Sequence, residues 1–214
     1  MEFSEYQITG IPETVYYIPE FLTPAEEDAI LKKVYGAPKP KWTCLSNRRL
    51  QQYGGAPHEK GMFPEEIPSW LQFVINKVHG LSAFDEKKPN HVLVNEYLPG
   101  QGIMPHTDGP LFYPIISTVS CGSHTVLEFL ENNDNRNKIC EVLVEPRSLI
   151  VVKNDMYTKH LHCIRERKTD NINSCVNWKN NTSNSMNNKE LARGVRVSLT
   201  IRHVPKVIKA KFII

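Results

Sequence analysis

The spacing of apolar residues changes once along the chain, from helical to alternating. Before that change, Ala25, Ile30, Leu31 and Val34 recur at intervals that place them on one face of a helix. Thr23 is the candidate N-cap, Pro24 suits the first helical position, and Glu26 stands where a capping box needs it. Gly36 and Pro38 end the helix. A second helix is predicted over Glu65 to His79, with Ile67, Trp70, Leu71, Val74, Ile75 and Val78 inward. Residues 11–22 read as an extended lead-in rich in β formers, and residues 41–55 as a strand or hairpin closed by Gly54 and Gly55. From His91 onward short strands are predicted at 91–97, 115–120, 124–130, 140–145, 148–153 and 195–203, with turn residues between them. Asn132 to Asn135 marks one hairpin turn and Pro146-Arg147 another. Strands following two helices predict an α+β protein in which a double-sheet β fold carries the helices on one face. Residues 165–190 are polar, rich in Asn and Ser, and read as a mobile insertion. Residues 206–214 fit an edge strand or a basic tail.

Length fits one domain of 214 residues, enough to bury a core without disulfides. The five cysteines are odd in number, lack C-x-x-C spacing, and read as free thiols in a reducing compartment. No run of apolar residues is long enough for a membrane span, and the opening residues lack the pattern of a signal peptide. The sequons at Asn180 and Asn181 are therefore expected to be chance matches. A formal net charge of +3 permits a phosphate-bearing partner without requiring one.

The chemistry concentrates in three places. In Asn95-Glu96-Tyr97-Leu98-Pro99-Gly100-Gln101-Gly102-Ile103-Met104-Pro105-His106-Thr107-Asp108, the last His-x-Asp puts an imidazole and a carboxylate on one face of an extended segment. That pair suits Fe(II) in a two-His-one-carboxylate triad, which needs a second histidine and leaves positions open for substrate. His160 and His162 are both candidates, and alternation alone does not separate them. In Arg196-Val197-Ser198-Leu199-Thr200-Ile201-Arg202, two arginines and two hydroxyls share one face and three apolar residues the other. Such a polar row fits a dianionic ligand, since guanidinium groups grip carboxylates. A third cluster, Arg48, Arg49 and Tyr53 with Trp42, has the cation and ring chemistry of a nucleic-acid surface. On local sequence alone it reads more simply as a solvated edge strand whose Trp42 and Tyr53 belong to the core.

Taken together, Asn-x-Tyr-x-Pro-Gly before His-x-Asp, a later His, and Arg-x-Ser-x-Thr-x-Arg near the end resemble the AlkB-type Fe(II)/2-oxoglutarate-dependent dioxygenases. Asn47 to Gln51, Gly102 to His106 and Tyr157 to His162 look closest to the sixth of the eukaryotic AlkB homologues. The resemblance implies a jelly-roll core at 89–206, an N-terminal region 1–88 with the helices and a nucleotide-recognition lid, and a tail at 207–214, in one structural domain. It implies that His106, Asp108 and His162 hold Fe(II). The match to Tyr-Thr-x-x-x-His-x-Ile favours His162 over His160. Asn95, Tyr97, Arg196 and Ser198 would bind 2-oxoglutarate, with Arg202 near the carboxylate beside its keto group and O2 as the other co-substrate. Arg48, Arg49 and Tyr53 would touch substrate. The implied reaction is oxidative demethylation of alkylated DNA or RNA bases by a monomer in nucleus and cytoplasm. Two alternatives stand beside it: the same chemistry on a protein side chain, and a nucleic-acid-binding protein with little turnover. The stretch from His162 to Arg196 is longer than in the compact bacterial member, which makes residues 165–190 a candidate cover for the site.

Overall fold

The computed structural model describes residues 3–12, 14–178 and 190–208. In chain order the strands and helices are β1 (Val15–Ile18), α1 (Pro24–Tyr35), β2 (Thr43–Leu45), β3 (Arg48–Tyr53), α2 (Ser69–His79) and β4 (His91–Tyr97). Then follow β5 (Ile103–His106), β6 (Ile115–Cys121), β7 (Thr125–Glu131), β8 (Lys138–Val144), β9 (Leu149–Lys153) and α3 (Asn154–Thr158). The last are β10 (His160–Ile164), β11 (Thr169–Asn171), β12 (Glu190–Ala192) and β13 (Arg196–Arg202).

Two antiparallel sheets face each other as a jelly roll. The major sheet has the order β1-β9-β6-β13-β4-β3-β2 and the minor sheet β5-β10-β7-β8. β13 is central, paired to β4 on one side and β6 on the other, and all seven of its residues are buried. Its alternation therefore serves two different interiors. Val197, Leu199 and Ile201 pack outward under Ile30 and Val34 of α1 and Leu71, Val74, Ile75 and Val78 of α2. Arg196, Ser198, Thr200 and Arg202 face the space between the sheets. A second apolar cluster closes that space away from the polar row, with Phe129 and Val142 of the minor sheet meeting Ile116, Ile150 and Val152 of the major sheet.

Local chemistry accounts for the helix boundaries. At α1 the Thr23 hydroxyl accepts from the Glu26 amide at 3.2 Å, and the Glu26 carboxylate accepts from the Thr23 amide at 2.7 Å. This is the expected capping box. α2 begins at Ser69 rather than at Glu65. Pro68 disfavours helical backbone at the residue before it, so Ile67 lies outside the helix. The Glu65 amide is also held by the Gly54 carbonyl.

Two further expectations are corrected. Pro146-Arg147 does not close a hairpin: β8 lies in the minor sheet and β9 in the major one, so this corner carries the chain between sheets. The N-terminal region also contributes β1, β2 and β3 to the major sheet. The described parts of 165–190 do not cover the site. Ile172, Cys175, Trp178 and Leu191 pack on Val126 and Leu143 of the minor sheet, and β11 pairs with β12. Buried Asp170 fastens this arm, gripped by both Nε and Nη2 of Arg193 at 2.6 and 2.7 Å and by Arg167 at 2.6 Å. The sequons at Asn180 and Asn181 lie outside the described residues, as does the tail beyond 208. No helix among the described residues is long and apolar enough to cross a membrane.

Candidate metal centre and anion chamber

The site lies in a cavity of about 230 Å³ between the two sheets. β5 brings His106 to its rim and β10 brings His162 opposite, the two residues standing in register in an antiparallel pair. That pairing requires Gly102. A Cβ there would overlap the Ile164 carbonyl oxygen, so only glycine allows β5 to run this close to β10. Asp108 follows on the loop between β5 and β6. One donor atom from each of His106, Asp108 and His162 lies within 4.8 Å of the others. Ligands about 2.1 Å from a common cation stand roughly 3–4 Å apart, so small side-chain rotations close the set.

The donors are in suitable states for a divalent cation. His106 Nδ1 lies 2.8 Å from the Met104 carbonyl, which directs Nε2 toward Asp108 at 3.9 Å. Burial pushes the His162 imidazole down to about 4, so it is neutral at physiological pH. Burial alone would raise the Asp108 carboxyl, but Arg202, with lesser contributions from His162 and His106, holds it below its ordinary value. Arg202 Nη2 donates to Asp108 Oδ1 at 2.8 Å. Asp108 Oδ2 is buried and has no hydrogen-bond partner among the described residues. A buried carboxylate oxygen left unpartnered beside two imidazoles is what an N,N,O cation site requires. The residues present therefore fit Fe(II).

At the far end of the polar row, Arg196 lies against the Tyr97 ring, 5.7 Å from its centroid, and its Nη2 donates to Ser120 Oγ at 2.8 Å. Burial pushes its pKa down to about 10, and its Nε has no partner. Among the described residues it forms no ion pair with a carboxylate. Buried guanidinium groups are normally paired. An unpaired one lining a cavity with Asn95, Tyr97 and Ser198 is a receptor for an anion. Since the metal-ligand set and Arg196 line the same cavity, one molecule carrying two carboxylates could span them.

The expected site residues divide cleanly. His106, Asp108, His162, Asn95, Tyr97, Arg196, Ser198, Arg202 and Arg48 all line the cavity. His160, one pleat before His162, is not part of the donor set. Arg49 and Tyr53, expected to touch substrate, are corrected: both face the helices. Arg49 grips Glu96 with two bonds of 2.6 and 2.8 Å and stacks on Trp42. The Tyr53 hydroxyl donates to Gln51 at 2.8 Å, and its ring meets Trp70 edge-on. The reason is strand alternation: Arg48 lies on the opposite face of β3 from both. Arg48 Nε instead donates to Asn95 Oδ1 at 3.2 Å, and the neighbouring Asn47 donates to the Glu166 carboxylate. Sequence reading missed Ser120, which anchors the Arg196 guanidinium. Ile116, Thr118 and Ser120 form an inward row on β6, but nothing local says that β6 lies beside β13.

The profile of the 2OG-Fe(II) oxygenase superfamily matches residues 39–202. The "Probable RNA/DNA demethylase ALKBH6" of Danio rerio is 45% identical over 98% of this chain and 94% of its own length. The "tRNA (carboxymethyluridine(34)-5-O)-methyltransferase alkbh8" of Xenopus tropicalis is 26% identical over 91% of this chain, which spans 32% of that protein. Among solved structures, that of OsALKBH1 superposes with a TM-score of 0.61 at 15% identity, covering 90% of this chain and 99% of that one. A Pseudomonas putida prolyl-4-hydroxylase superposes with a TM-score of 0.56 at 12% identity, covering 92% and 94%. At those identities the two structures speak for the jelly-roll fold alone.

Proposed function

Because this chain belongs to the 2OG-Fe(II) oxygenase superfamily, we propose that it oxidatively demethylates alkylated bases of nucleic acid. It is a dioxygenase that uses Fe(II), 2-oxoglutarate and O2. The single observation that carries the site assignment is the cavity shared by the His106, Asp108 and His162 donor set and the unpaired Arg196 guanidinium. When bound, the iron would supply the coupled decarboxylation of the keto acid and oxidation of a substrate C–H bond.

The chain's own groups divide the remaining work. His106 Nε2, the Asp108 carboxylate and His162 would hold the metal. Arg196 would receive the distal carboxylate, with Ser198, Asn95 and Tyr97 around it and Ser120 fixing the guanidinium. Arg202 keeps Asp108 ionised and oriented. Arg48, seated on Asn95, would close the co-substrate end of the cavity at the base of the β2–β3 hairpin. The apolar walls from Leu93, Ile116, Ile150 and Val152 keep bulk water from the reacting carbon. If that carbon is an N-methyl group, its hydroxylated form releases formaldehyde and leaves the bare base nitrogen.

The nucleic-acid substrate is supported by the names of the similar zebrafish and frog proteins, an RNA/DNA demethylase and a tRNA-modifying enzyme. The test is succinate release driven by methylated DNA or RNA oligonucleotides compared with methylated peptides, for wild type, His106→Ala and His162→Ala. Stimulation by an oligonucleotide and its loss in both variants is the expected result. Stimulation by peptides alone refutes the base assignment, and turnover untouched by either substitution refutes the metal assignment.

A further inference from the structure

We propose that Phe112 is a positioning residue for the metal centre, acting through Arg202 to leave one oxygen of Asp108 free. The proposal rests on the metal-site reading above. An arginine beside a carboxylate frequently closes on it with two parallel bonds. Arg202 does not. It gives Asp108 one bond, Nη2 to Oδ1 at 2.8 Å, and Oδ2 has no partner. Arg49 and Glu96 show the two-bond grip elsewhere in this same chain.

The difference is what the guanidinium lies on. The Arg202 Cζ sits 4.6 Å from the centroid of the Phe112 ring, so the ring face fixes the plane and reach of the fork. His91 packs against the same ring, 5.7 Å centroid to centroid and tilted by 44°. His91 is the cross-strand neighbour of Arg202, is only 1% exposed, and has no hydrogen-bond partner on either ring nitrogen among the described residues. It is thus a wall for Phe112 rather than a second anchor for Arg202. With the ring in place, Arg202 reaches Asp108 end-on. Without it, the guanidinium is free to rotate into the two-bond grip and occupy the oxygen a metal would take.

The loop that carries Asp108 is held independently of this ring. Tyr157 donates to the Gly109 carbonyl at 3.0 Å, and the Tyr113 amide donates to the His203 carbonyl at 2.8 Å. Substitution of Phe112 should therefore leave the loop attached.

The experiment titrates Co(II), followed by its visible absorption and by chelator competition, into full-length wild type, Phe112→Leu and Phe112→Tyr, with thermal melts of each metal-free protein. Phe112→Leu keeps apolar volume and loses the ring face; it should weaken Co(II) binding about tenfold, the scale typical of residues that orient a metal ligand. Phe112→Tyr keeps the ring and should stay within about twofold. In an Arg202→Gln background, Phe112→Leu should change the affinity no further. Equal affinity of Phe112→Leu and wild type overturns the proposal. Equal weakening by Leu and Tyr, or a full effect without Arg202, also overturns it in favour of simple packing. Wild type that binds no Co(II) sinks the metal-site reading itself, a result separate from any difference among the variants.

Discussion

Replacing Arg196 by methionine should make the ligand-free protein more stable and the co-substrate complex much weaker. Burial takes the guanidinium from its ordinary value down to about 10, which corresponds to about 3 kcal/mol against its charged form. Both folded and unfolded chains hold that proton below pH about 10. The cost is therefore fully present at neutral pH and is relieved only as pH rises above about 10 toward the ordinary arginine range. Methionine removes it while filling most of the same volume. Against this gain stand the orphaned Ser120 hydroxyl, about 1 kcal/mol, and the lost contact with Tyr97, about 0.5–1 kcal/mol. The remainder is a stabilisation on the order of 1 kcal/mol, or about 2–4 °C in Tm for a chain of this size. The same substitution removes a charge-assisted grip on a carboxylate, about 1.5–3 kcal/mol, so 2-oxoglutarate affinity should fall roughly 10- to 100-fold. Thermal melts with and without 2-oxoglutarate, with Mn(II) in place of iron, read both effects. A variant several degrees less stable than wild type, or one that keeps its 2-oxoglutarate-dependent shift, refutes the idea of an unpaired guanidinium awaiting an anion.

Three further outcomes follow from the same structure. Arg49→Leu should cost about 2–4 kcal/mol in urea unfolding, because it strands the buried Glu96 carboxylate; the KM for 2-oxoglutarate should not move, and a large rise would return Arg49 to the cavity. Gly102→Ala should lose at least about 2 kcal/mol and weaken Co(II) binding, since its Cβ meets the Ile164 carbonyl and pushes His106 from His162; an unchanged Co(II) titration would contradict this. Burial raises Asp170, but the His124, Arg193 and Arg167 contacts outweigh it and hold its carboxyl far below the ordinary range. Its stabilisation is thus present above the unfolded value near pH 3.9 and is lost as pH falls below that. Acid titration of Asp170→Asn should give a flatter fall in stability below about pH 4 than wild type, and identical acid limbs would count against the ion cluster.

Local sequence carried much of this far. The capping box at Thr23 and Glu26 and the two-faced row from Arg196 to Arg202 each depend on residues a few positions apart. Both were legible because hydrogen bonding at a helix start and alternation along a strand are local rules. The same rule could have divided Arg48 from Arg49 and Tyr53, whose spacing already puts them on opposite faces. What could not be read was which face meets the cavity, since β3 has polar residues on both.

By itself, then, the chain determined which side chains share a face of their own strand or helix, and with them the candidate donors and the anion-binding row. Only the tertiary structure decided what lies opposite each face. It brought His162, and not His160, against His106, packed the polar arm after β10 on the outside of the minor sheet, and laid Arg202 on Phe112. Those outcomes depend on strands paired across tens of residues, and backbone pairing between strands leaves no periodic trace in the sequence of either one.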